Sequence, residues 1–279
     1  MRIDAHQHFW TLARGDYGWL TDKLAPIYRD FSPSDLQPLL ARHGIERTIL
    51  VQAAPTVAET EFLLGIGAAT PFVAGVVGWA DFESADAPQV VARLAGNPLL
   101  VGLRPMIHDI ADDRWMLRDG LAKAFEAMIA HGLVFDALVR PQHLRPLAEL
   151  LARYPRLAVV VDHGAKPFIR ERRLEPWREE IAAIAAHPLA ACKLSGLVTE
   201  AGANWTALDL RPYVDHLIEA FGPSRLIWGS DWPVVDLGGG YDRWIEATAT
   251  LLAPLKARDR DAILGGNAQR VYLGKRGRR

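Results

Sequence analysis

Short apolar runs alternate with longer stretches of helical periodicity along almost the whole chain. Eight runs read as strands: Ile3 to His8, Thr48 to Gln52, Phe72 to Trp79, Leu99 to Arg104, Val134 to Val139, Leu157 to His163, Ala190 to Leu194 and Arg225 to Asp231. Between them, apolar residues recur at helical spacing in Pro33 to His43, Pro88 to Ala95, Leu117 to His131, Leu144 to Tyr154, Leu174 to His187 and Leu210 to Phe221. Ser32-Pro33 and Ser34 mark a helix start, and Gly44 and Gly132 stand where a left-handed residue closes a last turn. The strand interiors are nearly continuous Val, Leu, Ile and Ala, the pattern of parallel strands covered on both faces. Eight alternations favour a distorted (β/α)8 TIM barrel. The rival, an open doubly wound sheet, places a Gly-rich phosphate turn after its first strand, where this chain has His-Gln-His-Phe-Trp. The 279 residues suit one barrel of about 250 residues, and no repeat or linker marks a boundary, so residues 1–279 are expected to form a single domain.

Against this apolar background the polar residues cluster at strand carboxyl ends: His6 and His8, Gln52, Trp79 with Asp81, Arg104, Asp136 with Arg140, His163, Lys193 with Ser195, and Asp231. In a barrel that end carries the active site, because the βα loops meet above it. His6 and His8, two apart on a strand, share a face. Closure of the barrel brings the last strand, ending in Asp231, beside the first, so that two imidazoles and a carboxylate converge where a metal binds or a water is activated. His163 ends a very apolar strand before Gly164, which permits a turn or a close ligand approach. Arg104 and Lys193 interrupt apolar strands and need anionic or carbonyl partners; the fork of Arg104 suits a carboxylate or an oxyanion, and Lys193 equally suits an internal ion pair.

Other features have plainer readings. His43, His131 and His187 sit in last helical turns, His216 lies within a helix, and His143 trails the fifth strand; only His108, on the loop after the fourth strand, is placed to reach the barrel mouth. Gly238-Gly239-Gly240 lacks the Lys-Ser/Thr of a phosphate loop, and Ser195-Gly196 is not a nucleophile elbow. Residues 9–35 hold Phe9, Trp10, Tyr17, Trp19, Tyr28 and Phe31 among charged residues; either a lid over a sugar-sized pocket or a secondary packing cluster accounts for them.

Charge narrows the partner. With 32 basic and 33 acidic residues the formal charge is −1, so no basic field recruits nucleic acid or an anionic membrane, and a small molecule is the expected ligand. A single cysteine, Cys192, no apolar signal region and no run of about 18 apolar residues point to the cytoplasm. The basic tail Lys275 to Arg279 reads as a frayed terminus, and nothing in the chain specifies an oligomeric state.

Five motifs carry a family resemblance across essentially the whole chain, in order. Asp4-Ala5-His6-Gln7-His8-Phe9-Trp10, Asp162-His163-Gly164-Ala165-Lys166-Pro167, Lys193-Leu194-Ser195-Gly196-Leu197, Trp228-Gly229-Ser230-Asp231-Trp232-Pro233 and Gly265-Gly266-Asn267-Ala268 resemble the amidohydrolase superfamily, and more narrowly its sugar-lactonase branch of L-fuconolactonases and L-rhamnonolactonases. The resemblance implies hydrolysis of an aldonolactone, L-fuconolactone foremost, to the aldonic acid. For that reaction Asp231 is the expected base that activates water, with Arg104 and the imidazole pair steadying the oxyanion, and His163 polarising the carbonyl or protonating the ring oxygen. Trp10, Gln52, Trp79, His108 and Trp232 are the expected substrate contacts. The fourth and fifth strands end in Leu103-Arg104-Pro105 and Leu138-Val139-Arg140, without the bridging lysine or histidine of two-metal members. At most one divalent metal, zinc, is then expected on His6, His8 and Asp231, with or without His163, and the branch implies no strict need for it. A metal-dependent decarboxylase of the same superfamily and a non-catalytic ligand-binding barrel are the alternatives.

Overall fold

The computed structural model describes residues 1–274, and the basic tail read above lies outside them. Eight parallel strands follow one another around a barrel in chain order: β1 (Ile3–Gln7), β2 (Arg47–Val51), β3 (Val73–Gly78), β4 (Leu100–Leu103), β5 (Val134–Ala137), β6 (Val159–Val161), β7 (Ala190–Leu194) and β8 (Leu226–Trp228). Every neighbouring pair from β1–β2 to β7–β8 is a parallel ladder, with a register shift in each of the first three. The last seam is different. β8 meets β1 only beyond its end, through a parallel bridge between Gln7 and Trp232, with Asp231 N donating to His6 O at 2.7 Å and His8 N to Trp232 O at 2.8 Å. This is the distortion of the barrel, and it joins the two motifs that carry the chemistry.

Most strands stop short of the apolar runs that predict them, and the reason is local. In the sixth run only Val159–Val161 stays in the ladder; Asp162 and His163 turn away, His163 in the left-handed region at φ 54°. The polar ends thus leave the sheet to face the mouth.

The barrel interior is filled by Ile3, Ala5, Ile49, Val51, Val77, Val101, Val134, Val160, Ala191 and Ile227, and Ala268 and Tyr272 from the C-terminal segment close it from below. That segment abuts the first residues of β1, since a Cβ on Gly265 would lie 2.3 Å from Met1 O. A second, larger apolar layer lies between the sheet and the outer helices.

Pro33–His43 is a helix with the bounds its periodicity predicts, opened by a Ser32/Asp35 capping box and closed by left-handed Gly44. Helices at Ala87–Ala95, Ala122–His131, Leu144–Arg153, Trp177–Ala185 and Ala207–Phe221 match the remaining expectations with shifted ends. Two long helices escaped the pattern. Val57–Ala69 is apolar on most sides and carries Gly65 and Gly67, so it has no clear stripe; it lies buried against β3, its start capped by Thr56. Tyr241–Leu252 begins directly after the Gly238 to Gly240 turn. No helix among the described residues is long and apolar enough to cross a membrane.

At the β8–β1 seam, Gly229 has no room for a side chain: a Cβ there would stand 2.6 Å from His6 Cβ and 2.9 Å from His6 N. Gly229→Ala should therefore cost about 1–3 kcal/mol as the strands are forced apart, read as a lower urea midpoint at unchanged slope. An unaltered midpoint would mean that the seam is looser than this packing requires.

Candidate active site

Asp231 is aimed by its backbone before its side chain does anything. Its amide is bonded to His6 O, its φ is 62°, and a non-glycine residue in that region costs roughly 1–3 kcal/mol. Asp4 fastens the same seam: its Oδ1 accepts from Ser230 N at 2.8 Å and its Oδ2 from the Tyr241 hydroxyl at 3.1 Å. The result is a carboxylate with Oδ1 lying 3.3 Å from His8 Nε2, 3.5 Å from His6 Nε2 and 3.8 Å from His163 Nε2. The His6 ring lies edge-on to His8 with centroids 4.9 Å apart, and 4.5 Å from the His163 ring.

Burial alone would raise the Asp231 carboxyl, but His163, the hydrogen bond from His8 and the charge of His6 outweigh it and hold the group well below the usual carboxylate range. His163 moves down to about 4, chiefly through burial, so it is neutral near pH 7. Burial and the Lys193 charge likewise drive His6 well below the ordinary imidazole range. The site therefore pairs an ionised carboxylate with neutral His6 and His163 rings, the polarity that a base and a hydrogen-bond donor need.

A cavity of about 220 Å³ opens on this group, walled by His8, His163 and Asp231 on its chemical side, Arg104, His108 and Lys166 around them, and Trp19, Met106, Leu138 and Val234 as apolar surface. His6 lies beneath, fully buried, and contributes no wall. Arg104 is held from below: it donates through Nη2 to Gln52 O and, at 3.2 Å, to Gln52 Oε1, and through Nη1 to Asp162 Oδ2 at 3.3 Å. Its Nε is buried without a partner among the described residues. His163 is set by Ser195, whose hydroxyl lies 2.9 Å from its Nδ1.

The predicted substrate contacts divide. His108 lines the cavity, with its Nε2 paired to Asp109 at 3.0 Å. Trp79 lines an adjoining hollow of about 380 Å³ that shares Trp19, Met106 and Asp109 with the first. Gln52 is fully buried and braces Arg104 instead of reaching the cavity. Trp10 and Trp232 are core residues: Trp10 donates its indole N–H to Arg29 O at 2.7 Å, and Trp232 packs between Phe9 and Phe31. The long first βα segment serves both readings at once, since Trp10 and Phe31 form an internal antiparallel bridge while Trp19 turns its ring to the cavity. Asp162 and Lys166 lay in one family motif, Ser195 in another and at a strand end, and Trp19 in the aromatic segment, none with its own role indicated; Tyr272 carried no sequence signal at all.

The spacing fits one divalent ion. Ligand atoms about 2.1 Å from a tetrahedral metal stand about 3.4 Å apart, and facing atoms of His6, His163 and Asp231 all lie within 4.8 Å of one another. His8 adds an independent sign. Its Nδ1 lies 2.8 Å from Val51 O, which only accepts, so Nδ1 carries a proton, and the contact of Nε2 with Asp231 Oδ1 at 3.3 Å is made through a second proton or through a cation. His6 Nδ1 faces both the Lys193 ammonium at 3.1 Å and Asp162 Oδ1 at 3.5 Å. No histidine of the β5 end joins them; His143 is bonded to Arg140 N and faces Asp113.

An amidohydrolase family model matches residues 3–273. The chain is 49% identical to an L-fucono-1,5-lactonase of Burkholderia ambifaria over 97% of this chain and 95% of that one, and 37% identical to an L-fucono-1,5-lactonase of Burkholderia multivorans over 98% and 96%. Among solved structures it superposes on an amidohydrolase of Burkholderia multivorans with bound zinc at a TM-score of 0.92, with 36% identity and 98% and 99% of the chains covered.

The cavity rim after β2 hangs on a buried acid. Glu59 accepts from Ala53 N at 2.9 Å and Ala54 N at 2.7 Å, and Ala53 O in turn receives the Trp19 indole N–H at 2.7 Å. Burial, reinforced by Asp16, pushes Glu59 up to about 7 against the pull of those amides and Arg104. A carboxyl raised on folding binds a proton that the unfolded chain has already released, so its contribution to stability falls as pH rises from about 4.5 to about 7. Glu59→Gln lacks that loss. Its destabilisation relative to the native chain should shrink between pH 5 and pH 8 in urea unfolding; a constant difference would refute the raised value.

Proposed function

The chain belongs to the amidohydrolase family, and from that membership and the site's geometry we propose that it hydrolyses a sugar lactone, opening an aldonolactone to its aldonic acid. It is an enzyme acting on a carboxylic ester. L-Fucono-1,5-lactone, the substrate named for both Burkholderia relatives, is the foremost candidate. The observation that carries the chemistry is one ionised carboxylate, Asp231, held at the floor of a cavity small enough for a single sugar ring and ringed by imidazoles.

Asp231 takes a proton from water as the oxygen adds to the lactone carbonyl. The developing oxyanion is met by the Arg104 guanidinium in the cavity wall and by His163, whose Nε2 carries its proton when Ser195 donates to Nδ1. Collapse breaks the bond to the ring oxygen, and the proton held by Asp231 passes to that leaving alkoxide. The new carboxylic acid ionises into solvent, so turnover releases acid. No covalent intermediate is required, since a lactone is already an activated ester.

The chain carries a His/Asp group able to hold a divalent ion, and a similar structure was solved with zinc. A zinc there would act as a Lewis acid on the carbonyl; the steps above need only the protein's own groups, and the ion is not a strict requirement. The partner is a small neutral molecule rather than nucleic acid or membrane, given the balanced charge.

Asp231→Asn should lower kcat about a hundredfold or more on L-fucono-1,5-lactone while KM moves little, measured by acid release. Native turnover in that variant would remove the base assignment. The same assay with and without a chelator should give equal rates; loss of activity with chelator would make the metal essential. No acid release from any aldonolactone would overturn the lactonase reading itself.

A further inference from the structure

The hydrolytic steps use the cavity over Asp231 and leave the adjoining hollow without a role. The two share Trp19, Met106 and Asp109, and at about 380 Å³ the hollow is the larger. The first cavity takes the lactone ring; the second has room for a further ring beside it.

The two differ in character. Arg104, Lys166 and three imidazoles line the first, whereas no lysine, arginine or histidine among the described residues lines the hollow. It presents four carboxylates instead, those of Asp16, Asp81, Glu83 and Asp109. Groups outside the hollow hold three of them: Arg14 Nη2 lies 2.6 Å from Asp16, Arg118 Nη1 2.6 Å from Glu83, and His108 Nε2 3.0 Å from Asp109. Asp81 has no ion pair among the described residues, and its Oδ1 accepts from Glu83 N at 3.0 Å.

Aromatic surface supplies the remaining wall. Trp79 follows the end of β3, and its main chain is clamped by the Thr60 hydroxyl, which accepts from Trp79 N at 2.7 Å and donates to Trp79 O at 2.9 Å. The Trp19 indole is tied to Ala53 O. Both residues are half-buried, and buried Phe82 and Trp115 pack together with ring centroids 6.3 Å apart. Indole faces bordered by fixed carboxylate acceptors match a pyranose, whose C–H face stacks on the rings while its hydroxyls donate to the oxygens. We propose that the hollow is a subsite for a neutral glycosyl residue, so that the substrates include aldonolactones carrying a second sugar. The proposal rests on the lactonase reading for the ring over Asp231 and on the hollow itself for the ring beside it. Charge sets the selectivity: a uronyl residue would bring a carboxylate among four others with no cation in the hollow to receive it.

Calorimetry on the whole protein with carbonyl-free analogues tests the subsite without chemistry. The probes are 1,5-anhydro-L-fucitol and its 2-, 3- and 4-O-galactosides. At least one galactoside should bind about fivefold or more tighter than anhydrofucitol, the worth of one ring stacked on an indole. A smaller advantage for every isomer overturns the proposal. The matching galacturonide should bind no tighter than anhydrofucitol, and one that equals the galactoside overturns it too. In Trp79→Ala and in Asp81→Ala the galactoside advantage should fall by at least about half; an advantage undiminished in both, with each variant folded, places the second sugar elsewhere and overturns the assignment. Failure of the lactonase reading is a separate result, absence of acid release from lactones that carry no glycosyl group.

Discussion

One seam organises this molecule: the meeting of the first and last strands, where Asp231 N bonds to His6 O and His8 N bonds to Trp232 O. A parallel barrel must join its ends somewhere, and here the joint is made by residues beyond β8 rather than by a full ladder. The chain pays for that joint with Asp231 in a left-handed conformation and with Asp4 buried to tie Ser230 and Tyr241. In return the carboxylate is placed by main-chain bonds, which hold position far better than a free side chain would. His163, in the same unusual backbone region, is delivered to the opposite side of the carboxylate by the same device.

Around the seam the barrel interior solves a charge problem. Lys193, Arg104, Asp136, Asp162 and Asp231 are all buried, and each would be prohibitive alone. They are arranged as a layered set, Tyr272 to Asp136 to Lys193 to Asp162 to Arg104, in which every charge meets an opposite one. Burial and Asp162 push Asp136 up, while the two cations hold Asp162 far down despite its burial. The imidazoles sit on top of this layer, His6 against the Lys193 ammonium and the Asp162 carboxylate, His8 beside the Val51 carbonyl and His163 against the Ser195 hydroxyl. Hydrolysis then needs little more than an ionised base and donors aimed at the carbonyl oxygen, and the cavity supplies both.

The cavity's remaining walls explain why a single small ring is the fitting guest. Leu138, Val234 and Met106 offer apolar surface, while Arg104, His108 and Lys166 offer donors. Trp19 stands between this cavity and the adjoining hollow, tied to Ala53 and thereby to Glu59, so the first βα segment is fastened to the rim by hydrogen bonds as well as by its own aromatic packing.

The barrel was legible from the chain because its strands are covered on both faces: a run such as Val159-Val160-Val161 has few other places to go, and eight such runs admit few closures. His6, His8, His163 and Asp231 were legible for the complementary reason, since polar residues ending apolar strands must meet something. The sequence alone could not say which polar strand-end residues face the cavity and which brace it from below. Gln52 and Trp10 differ from Arg104 and Trp19 only in where neighbouring strands put them, and the helix at Val57–Ala69 hid because its exposed side also carries small and apolar residues, Ala58, Gly65, Ala68 and Ala69, which erases the polar stripe that betrays a surface helix. Least legible was the polarity of the imidazoles. Residue type says that a ring nitrogen is donor or acceptor; only tertiary contacts decide which, as the Val51 carbonyl from β2 does for His8 Nδ1.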